Sequence, residues 1–261
     1  MRLCPLQAVC RPTGLLEVPL DGKAPRELFR APALAKKTWV SPEFLTLQSS
    51  KDLAVPMIHW RAAATLREPA AVILVHAGPR LQITPEWDAG TQLLVSKGVH
   101  VLAANYRGST GCGARFERME SVGEQVQDVL AACDYAVRVL GVPTRRMVLL
   151  GSSSGARLAV AACRASPEPI GAVVLLAMPQ ANELPMATSM PPRQICAFRG
   201  ANDNICSPKA ARRAIKLLLG ADALSRQGDH WEVLSGEGHH FQRTESWARV
   251  YTTLLSLLSQ P

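Results

Sequence analysis

Three serines stand in a row between two glycines in the stretch VLLGSSSGARLAV, residues 148–160. A serine hydroxyl is a weak nucleophile on its own and needs a neighbouring base to become one. GSSSG fits the pattern Gly-x-Ser-x-Gly in one register only, which puts Ser153 at the centre. In a nucleophile elbow a strand turns sharply into a helix and holds the central serine strained, with its hydroxyl exposed. Side chains two residues before and two after would collide, so glycine is wanted at both places. The same turn aims the backbone N–H of Ser154 at the oxygen of a tetrahedral intermediate. Alone, the pattern also describes an ordinary Gly/Ser turn. The apolar MVLL before it and the helix-like ARLAVAACRA after it supply the context an elbow requires.

The base must itself be oriented by an acid, and in this kind of sheet the order is serine, acid, histidine, each just after a later strand. ICAFRGANDNICSP places Asp203 in a polar turn after a strand and ahead of a helix capped by Ser207. WEVLSGEGHHF places His239 and His240 in a glycine-bearing loop after the last strand. Each would be unremarked as a lone turn or loop residue. Their order along the chain makes them candidates for acid and base.

The elements that would position them alternate. From about residue 50, short aliphatic runs and longer amphipathic ones take turns, the pattern of a mostly parallel sheet with helices. Strands are expected at 56–60, 71–77, 99–106, 147–151, 172–178, 194–199 and 231–235. TPEWDAGTQLLVSKG predicts a helix capped at Thr84, with Pro85 first and Gly98 just past the end. SPKAARRAIKLLLG repeats that grammar with Ser207, Pro208 and Gly220. Val122, Val126, Val129, Cys133, Ala136 and Leu140 make an apolar stripe ended by Gly141, and a last helix spans about 244–258 with Trp247, Val250, Tyr251 and Leu254 inward. Residues 1–45 differ in texture: GLLEVPLDGKAPRELFR predicts a strand, a turn at Asp21-Gly22 and a second strand. The chain thus divides into an N-terminal extension, 1–45, and a main domain, 46–261.

The chain of 261 residues is 48% hydrophobic, enough for a substantial core. Its net charge of +8 is spread along the sequence without an aromatic-interleaved basic patch, so nucleic acid is not expected as a partner, and the positive field favours anionic ligands. The seven cysteines have no metal-ligand spacing and fall mostly in apolar runs, which predicts buried free thiols. No run reaches the length of a membrane span and no secretory signal opens the sequence, so a cytoplasmic protein without a membrane partner is expected.

LVHAGPR, NYRGSTGCGARF, GSSSGARLAV, FRGANDNICSP and GEGHHF, taken together and in order, resemble the peptidase domain of the prolyl oligopeptidase family, nearest its acylaminoacyl-peptidase-like branch. The resemblance covers about residues 45–261. It implies an α/β-hydrolase fold, with a mostly parallel central sheet and helices on both faces, and serine-dependent cleavage of peptide bonds in short peptides or acyl-peptides, with no cofactor. By position it implies Ser153 as nucleophile, Asp203 as acid and His239 as base, with His240 where the family usually has glycine. The oxyanion contacts it implies come from the N–H of Ser154 and from the loop HAGP. There His76 stands where some relatives donate from a tyrosine side chain, and Ala77 and Gly78 offer backbone N–H groups. His76 as a buried residue that holds the loop is the alternative.

The sequence departs from the family in four places. It has no room for the β-propeller that usually screens the active site, and residues 1–45 resemble the last strands of a propeller blade. Homo-oligomerisation is one way to gate a site left open. Nothing between Gly155 and Ala197 is aromatic, which gives no support to proline specificity. Met178, Leu184, Met186 and Met190 are candidates for an apolar pocket or lid. Ala156 stands where glycine is common and Cys112 where tyrosine is usual. Two alternatives remain: an esterase, thioesterase or acyl transferase using the same triad, and a non-catalytic truncated relative.

Overall fold

The computed structural model describes residues 2–6, 14–30, 39–50, 53–78, 80–180 and 191–259. At the N-terminus, β1 (Arg2–Leu6), β2 (Gly14–Val18) and β3 (Arg26–Arg30) form an antiparallel three-stranded sheet. The turn between β2 and β3 carries Gly22 at φ 79°, as the Asp21-Gly22 pair suggested. This sheet is separate from the main one.

The main sheet has eight strands. Two were not both expected: β4 (Glu43–Ser50) and β5 (Leu53–Trp60) pair antiparallel at one edge. The others are β6 (Ala70–Val75), β7 (Val99–Ala104), β8 (Met147–Ser152), β9 (Ala172–Leu176), β10 (Gln194–Gly200) and β11 (His230–Leu234). The order is β11-β10-β9-β8-β6-β7-β5-β4, and the six strands from β11 to β7 run parallel. Buried on both faces, strands such as AVVLL read as unbroken aliphatic runs rather than alternating ones.

Neighbouring residues on each strand face opposite layers. Ile73, Leu149, Val173 and Ile195 pack against α3 (Val122–Arg138), α4 (Ser154–Ala165) and α5 (Pro208–Leu219). Val72, Val148, Val174 and Phe198 pack against α1 (Ala89–Ser96) and α6 (Thr244–Ser259), where Val250 and Leu254 are fully buried. A short helix, Ala114–Glu117, is the second in chain order. The result is the α/β-hydrolase architecture, helices on both faces of a mostly parallel sheet. Among the described residues no helix is long and apolar enough to cross a membrane.

Punctuation was read correctly for α5, where the Ser207 hydroxyl accepts from the Ala210 N–H at 3.2 Å, with Pro208 first and Gly220 at the end. It was misread for α1. The helix starts five residues after the expected cap, and Asp88 caps it, its carboxylate accepting from Thr91 N–H at 2.6 Å. The cause is tertiary: Asn105, just past β7, grips the backbone of Ile83 from both sides, at 2.8 and 3.0 Å, and holds the chain extended there. Of the five cysteines with described side chains, Cys133, Cys163, Cys196 and Cys206 are buried free thiols and Cys112 is exposed. Burial pushes the Cys133 and Cys196 thiols up to about 12.

Candidate active site

β8 ends at Ser152 and α4 begins at Ser154, so Ser153 is the one residue between them. Its φ of 50° and ψ of −122° lie where essentially only glycine goes without strain, at a cost of about 1–3 kcal/mol. The neighbours hold it there. Its N–H donates to Leu176 O and its carbonyl accepts from Ala156 N–H, both at 2.9 Å. The flanking glycines are there for want of room. A Cβ on Gly151 would stand 2.6 Å from Ala156 Cα, and one on Gly155 would stand 2.2 Å from the His76 carbonyl oxygen.

Facing that hydroxyl, His239 Nε2 lies 3.0 Å from Ser153 Oγ, while His239 Nδ1 lies 2.8 Å from Asp203 Oδ2. A carboxylate only accepts, so the Nδ1 proton belongs to the bond with Asp203 and the Nε2 lone pair of the neutral ring faces the serine hydroxyl. His240 is exposed and packs edge-on against the His239 ring, outside this chain of bonds.

Asp203 is held from all sides. Its Oδ1 accepts from the N–H groups of Ile205 and Cys206 at 2.9 and 3.3 Å. Its Oδ2, besides His239, meets Arg199 Nη2 at 2.7 Å, and both side chains are almost wholly buried. Burial alone would raise the carboxyl pKa, but the bonds from His239 and Ile205 and the Arg199 charge outweigh it and hold it below the ordinary aspartate range. Arg199 is fixed in turn by the carbonyls of Met178, at 2.6 Å, and Cys206. Sequence reasoning missed this arginine. Its signal was a charge inside the apolar run ICAFRG, one helical turn's worth of residues ahead of the acid.

The loop that carries the histidine is tied to the loop that carries the acid. Asn202 N–H donates to Glu237 O at 2.8 Å and Ala201 N–H to Leu234 O at 2.9 Å. The approach is so close that a Cβ on Gly200 would sit 2.0 Å from Gly238 O. Glu237, also missed, is buried and accepts from the N–H groups of Gln242 and Arg243 at 2.8 and 2.9 Å, bracing the turn around His239. Burial raises its pKa, and bonds from Ser246 and those two amides more than reverse the effect.

On the opposite side of Ser153, the loop after β6 is stitched to the elbow. The Ser154 hydroxyl accepts from Gly78 N–H and donates to Gly78 O, both at 2.6 Å. That occupies the Gly78 amide. Among the described residues Ala77 N–H has no acceptor, and Ser154 N–H, at the first position of α4, has none within its helix. His76 takes the loop-holding place rather than the side-chain donor's. Its Nδ1 bonds Ala77 O at 2.6 Å, its Nε2 pairs with Ser109 Oγ at 2.8 Å, and its ring stacks on Tyr106 at 4.3 Å. Both ring nitrogens are spent, and burial lowers its pKa, favouring the neutral ring.

The segment NYRGSTG builds this side. The Tyr106 hydroxyl donates to His76 O at 2.8 Å, and Arg107 makes a buried pair with Asp128 of α3 through Nη2 at 2.6 Å and Nε at 2.8 Å. Met178 is buried beside the acid. Leu184, Met186 and Met190 lie outside the described residues.

Known proteins resemble this chain in sequence over part of its length and in fold over nearly all of it. The model of the prolyl oligopeptidase family matches residues 85–190. Acylamino-acid-releasing enzyme 1 of Oryza sativa is 32% identical over 103 residues, covering 38% of this chain and 13% of that protein. Dipeptidyl aminopeptidase BIII of Pseudoxanthomonas mexicana is 36% identical over 88 residues, 32% of this chain and 13% of that one. Among solved structures, a Mycobacterium tuberculosis puromycin-hydrolyzing peptidase superposes with a TM-score of 0.81 at 19% identity, over 99% of this chain and 45% of its own. Pyrococcus horikoshii acylaminoacyl peptidase does so with a TM-score of 0.78 at 15% identity, over 99% and 47%. The chain thus spans less than half the length of those structures. Through the segment 85–190 that the family model matches, the chain is similar to the prolyl oligopeptidase family, and it shares its fold with those solved structures.

Proposed function

We propose that the chain is a serine hydrolase that cleaves peptide or acyl-peptide bonds through an acyl-enzyme on Ser153. The observation that carries this reading is the continuous chain of hydrogen bonds from Ser153 Oγ through His239 to Asp203. His239 Nε2 removes the hydroxyl proton as Ser153 Oγ attacks the carbonyl carbon, then returns it to the leaving nitrogen. Asp203 keeps Nδ1 protonated and stabilises the imidazolium that forms. The negative charge on the substrate oxygen is met by the N–H groups of Ser154 and Ala77, at the start of α4 where the helix adds its positive end. Water then attacks the acyl-enzyme with His239 again as base.

Support for peptide and acyl-peptide substrates is the similarity to acylamino-acid-releasing enzymes and a dipeptidyl aminopeptidase over about a third of the chain. The absence of any aromatic residue from 156 to 196 favours a second reading, an esterase or thioesterase with the same triad, because such a pocket gives no reason to prefer amides. Turnover of acylaminoacyl p-nitroanilides beside p-nitrophenyl esters, with Ser153→Ala as control, separates them. Hydrolysis of the amides that is lost in Ser153→Ala is expected, and amide hydrolysis that persists in the variant would overturn the proposal.

A further inference from the structure

The hydrogen bonds of the site close into a circuit, and the chemistry proposed above uses only one arc of it. The working arc runs from Ser153 Oγ through His239 to Asp203 Oδ2. The return arc starts at that same oxygen. Arg199 Nη2 meets Asp203 Oδ2 at 2.7 Å, and Arg199 Nη1 donates to Met178 O at 2.6 Å. Two residues back along the chain, Leu176 O accepts from the Ser153 N–H at 2.9 Å.

The sheet ladder stops short of this arc. The register of β9 with both its neighbours ends at Leu176, which pairs with Ser152 on one side and Phe198 on the other. Ser153, Met178 and Asp203 all lie past that last pair. Between them Ala177 stands at φ 47°, a left-handed conformation that is strained for any residue but glycine, with its N–H donating to Phe198 O at 2.9 Å. Such a conformation persists only where its surroundings fix it. Arg199 is the side chain that reaches from the far end of this turn to the acid.

Stability does not account for the arginine. A buried ion pair is often matched by apolar side chains of similar volume, and the Arg199 Nε is buried without a partner. An apolar pair could not hold a carboxylate against a histidine. The guanidinium fork presents two nitrogens at a fixed separation, one to each end of the arc. Leu176, Ala177, Met178, Arg199 and Asp203 are all buried, so water does not readily replace a lost bond.

We propose that Arg199 is a positioning residue for the serine hydrolase proposed above, on which this inference rests: it ties the catalytic acid to the turn at Met178 behind the nucleophile and so keeps Ser153, His239 and Asp203 in register for proton transfer.

Turnover by Arg199→Met and Arg199→Lys tests this, counted per Ser153 that a fluorophosphonate titrates to completion, so that unfolded molecules are left out. Both variants are also measured in trimethylamine N-oxide, which favours the folded chain because it is excluded from protein surface. In each, kcat per titrated serine is expected to fall about tenfold to a hundredfold with KM little changed, the cost of a displacement of roughly 1 Å at a catalytic group. Lysine keeps the charge but brings one nitrogen where the arc needs two. The downfield proton resonance of His239 Nδ1–H, sharp in the parent, is expected to broaden in the folded Arg199→Lys. A kcat per titrated serine equal to the parent's in either variant overturns the proposal: in Arg199→Met it leaves the arginine a structural role, and in Arg199→Lys alone it leaves charge as the whole contribution. In all of these outcomes the serine-hydrolase reading stands. If the parent neither turns over substrate nor reacts with the probe, both readings fall.

Discussion

At the scale of residues, what distinguishes this site is how much buried charge is spent on one carboxylate. Arg199 is 1% exposed and shares Asp203 Oδ2 with His239. Removing one member of a buried pair leaves the other uncompensated, so Arg199→Met is expected to destabilise the fold by about 3 kcal/mol, and Arg199→Met with Asp203→Asn by less than that single variant, measured by urea unfolding. The double variant would still lose activity, because an amide in place of Asp203 no longer fixes the histidine tautomer. Arg157 is expected to behave in the opposite way. Its Nε contributes no bond to the fold, so Arg157→Met should unfold at the same temperature as the parent or higher. A clear loss of stability would assign it a structural role. The grouping of Ser153, His239 and Asp203 was legible in the sequence because their order along the chain, each just after a strand, exposes it. Arg199 was not, since an arginine in an apolar strand reads as noise until its carboxylate partner is seen, and His76 needed the ring's two partners before its place in the loop could be decided.

At the scale of elements, the site depends on two loops brought within van der Waals distance, and glycine is the residue that permits it. Gly200→Ala would push against Gly238 O and so shift the turn that carries His239. A fall in kcat of about tenfold to a hundredfold with KM little changed is expected, since a displacement of roughly 1 Å at a catalytic group costs on that order. An unchanged kcat would show that the loop has slack. The parallel strands and the helices α3, α5 and α6 were readable from their apolar runs and stripes. The edge strand β4, EFLTLQSS, was not: exposed on one side and polar along much of its length, it carries no run to read. The start of α1 was missed for a different reason, since the contact that delays it comes from Asn105, twenty-two residues along the chain from Ile83.

At the scale of the molecule, acid stability follows from a histidine that the mechanism does not use. His59 is fully buried in β5, with Nε2 3.0 Å from His100 Nδ1, the Tyr135 ring edge-on to it, and Arg61 and Glu43 nearby. Burial, then the His100 and Arg61 charges, lower its pKa from 6.5 to about 4. Between those values the unfolded chain binds a proton that the folded one refuses, so stability falls as the pH drops from 6.5 toward 4. His59→Leu should flatten that slope in unfolding curves taken across the window, and an unaltered slope would mean another group is responsible. The Asp203 carboxyl, held low, adds its own loss only at lower pH still, as it is protonated. The fold as a whole was legible from sequence because the five strands β6 to β10 are buried on both faces and their aliphatic runs stand out. Substrate choice was not, because residues 156–196 carry no aromatic side chain whose chemistry would select a substrate.

The central claim is that Ser153, and no other serine of GSSSG, is the nucleophile. Reaction of the protein with a fluorophosphonate, followed by mass mapping of the peptide that contains residues 151–157, tests it directly. One adduct on Ser153, absent from Ser153→Ala and strongly slowed in His239→Gln, is the predicted result. An intact protein left unmodified, or an adduct that survives in Ser153→Ala, would contradict it.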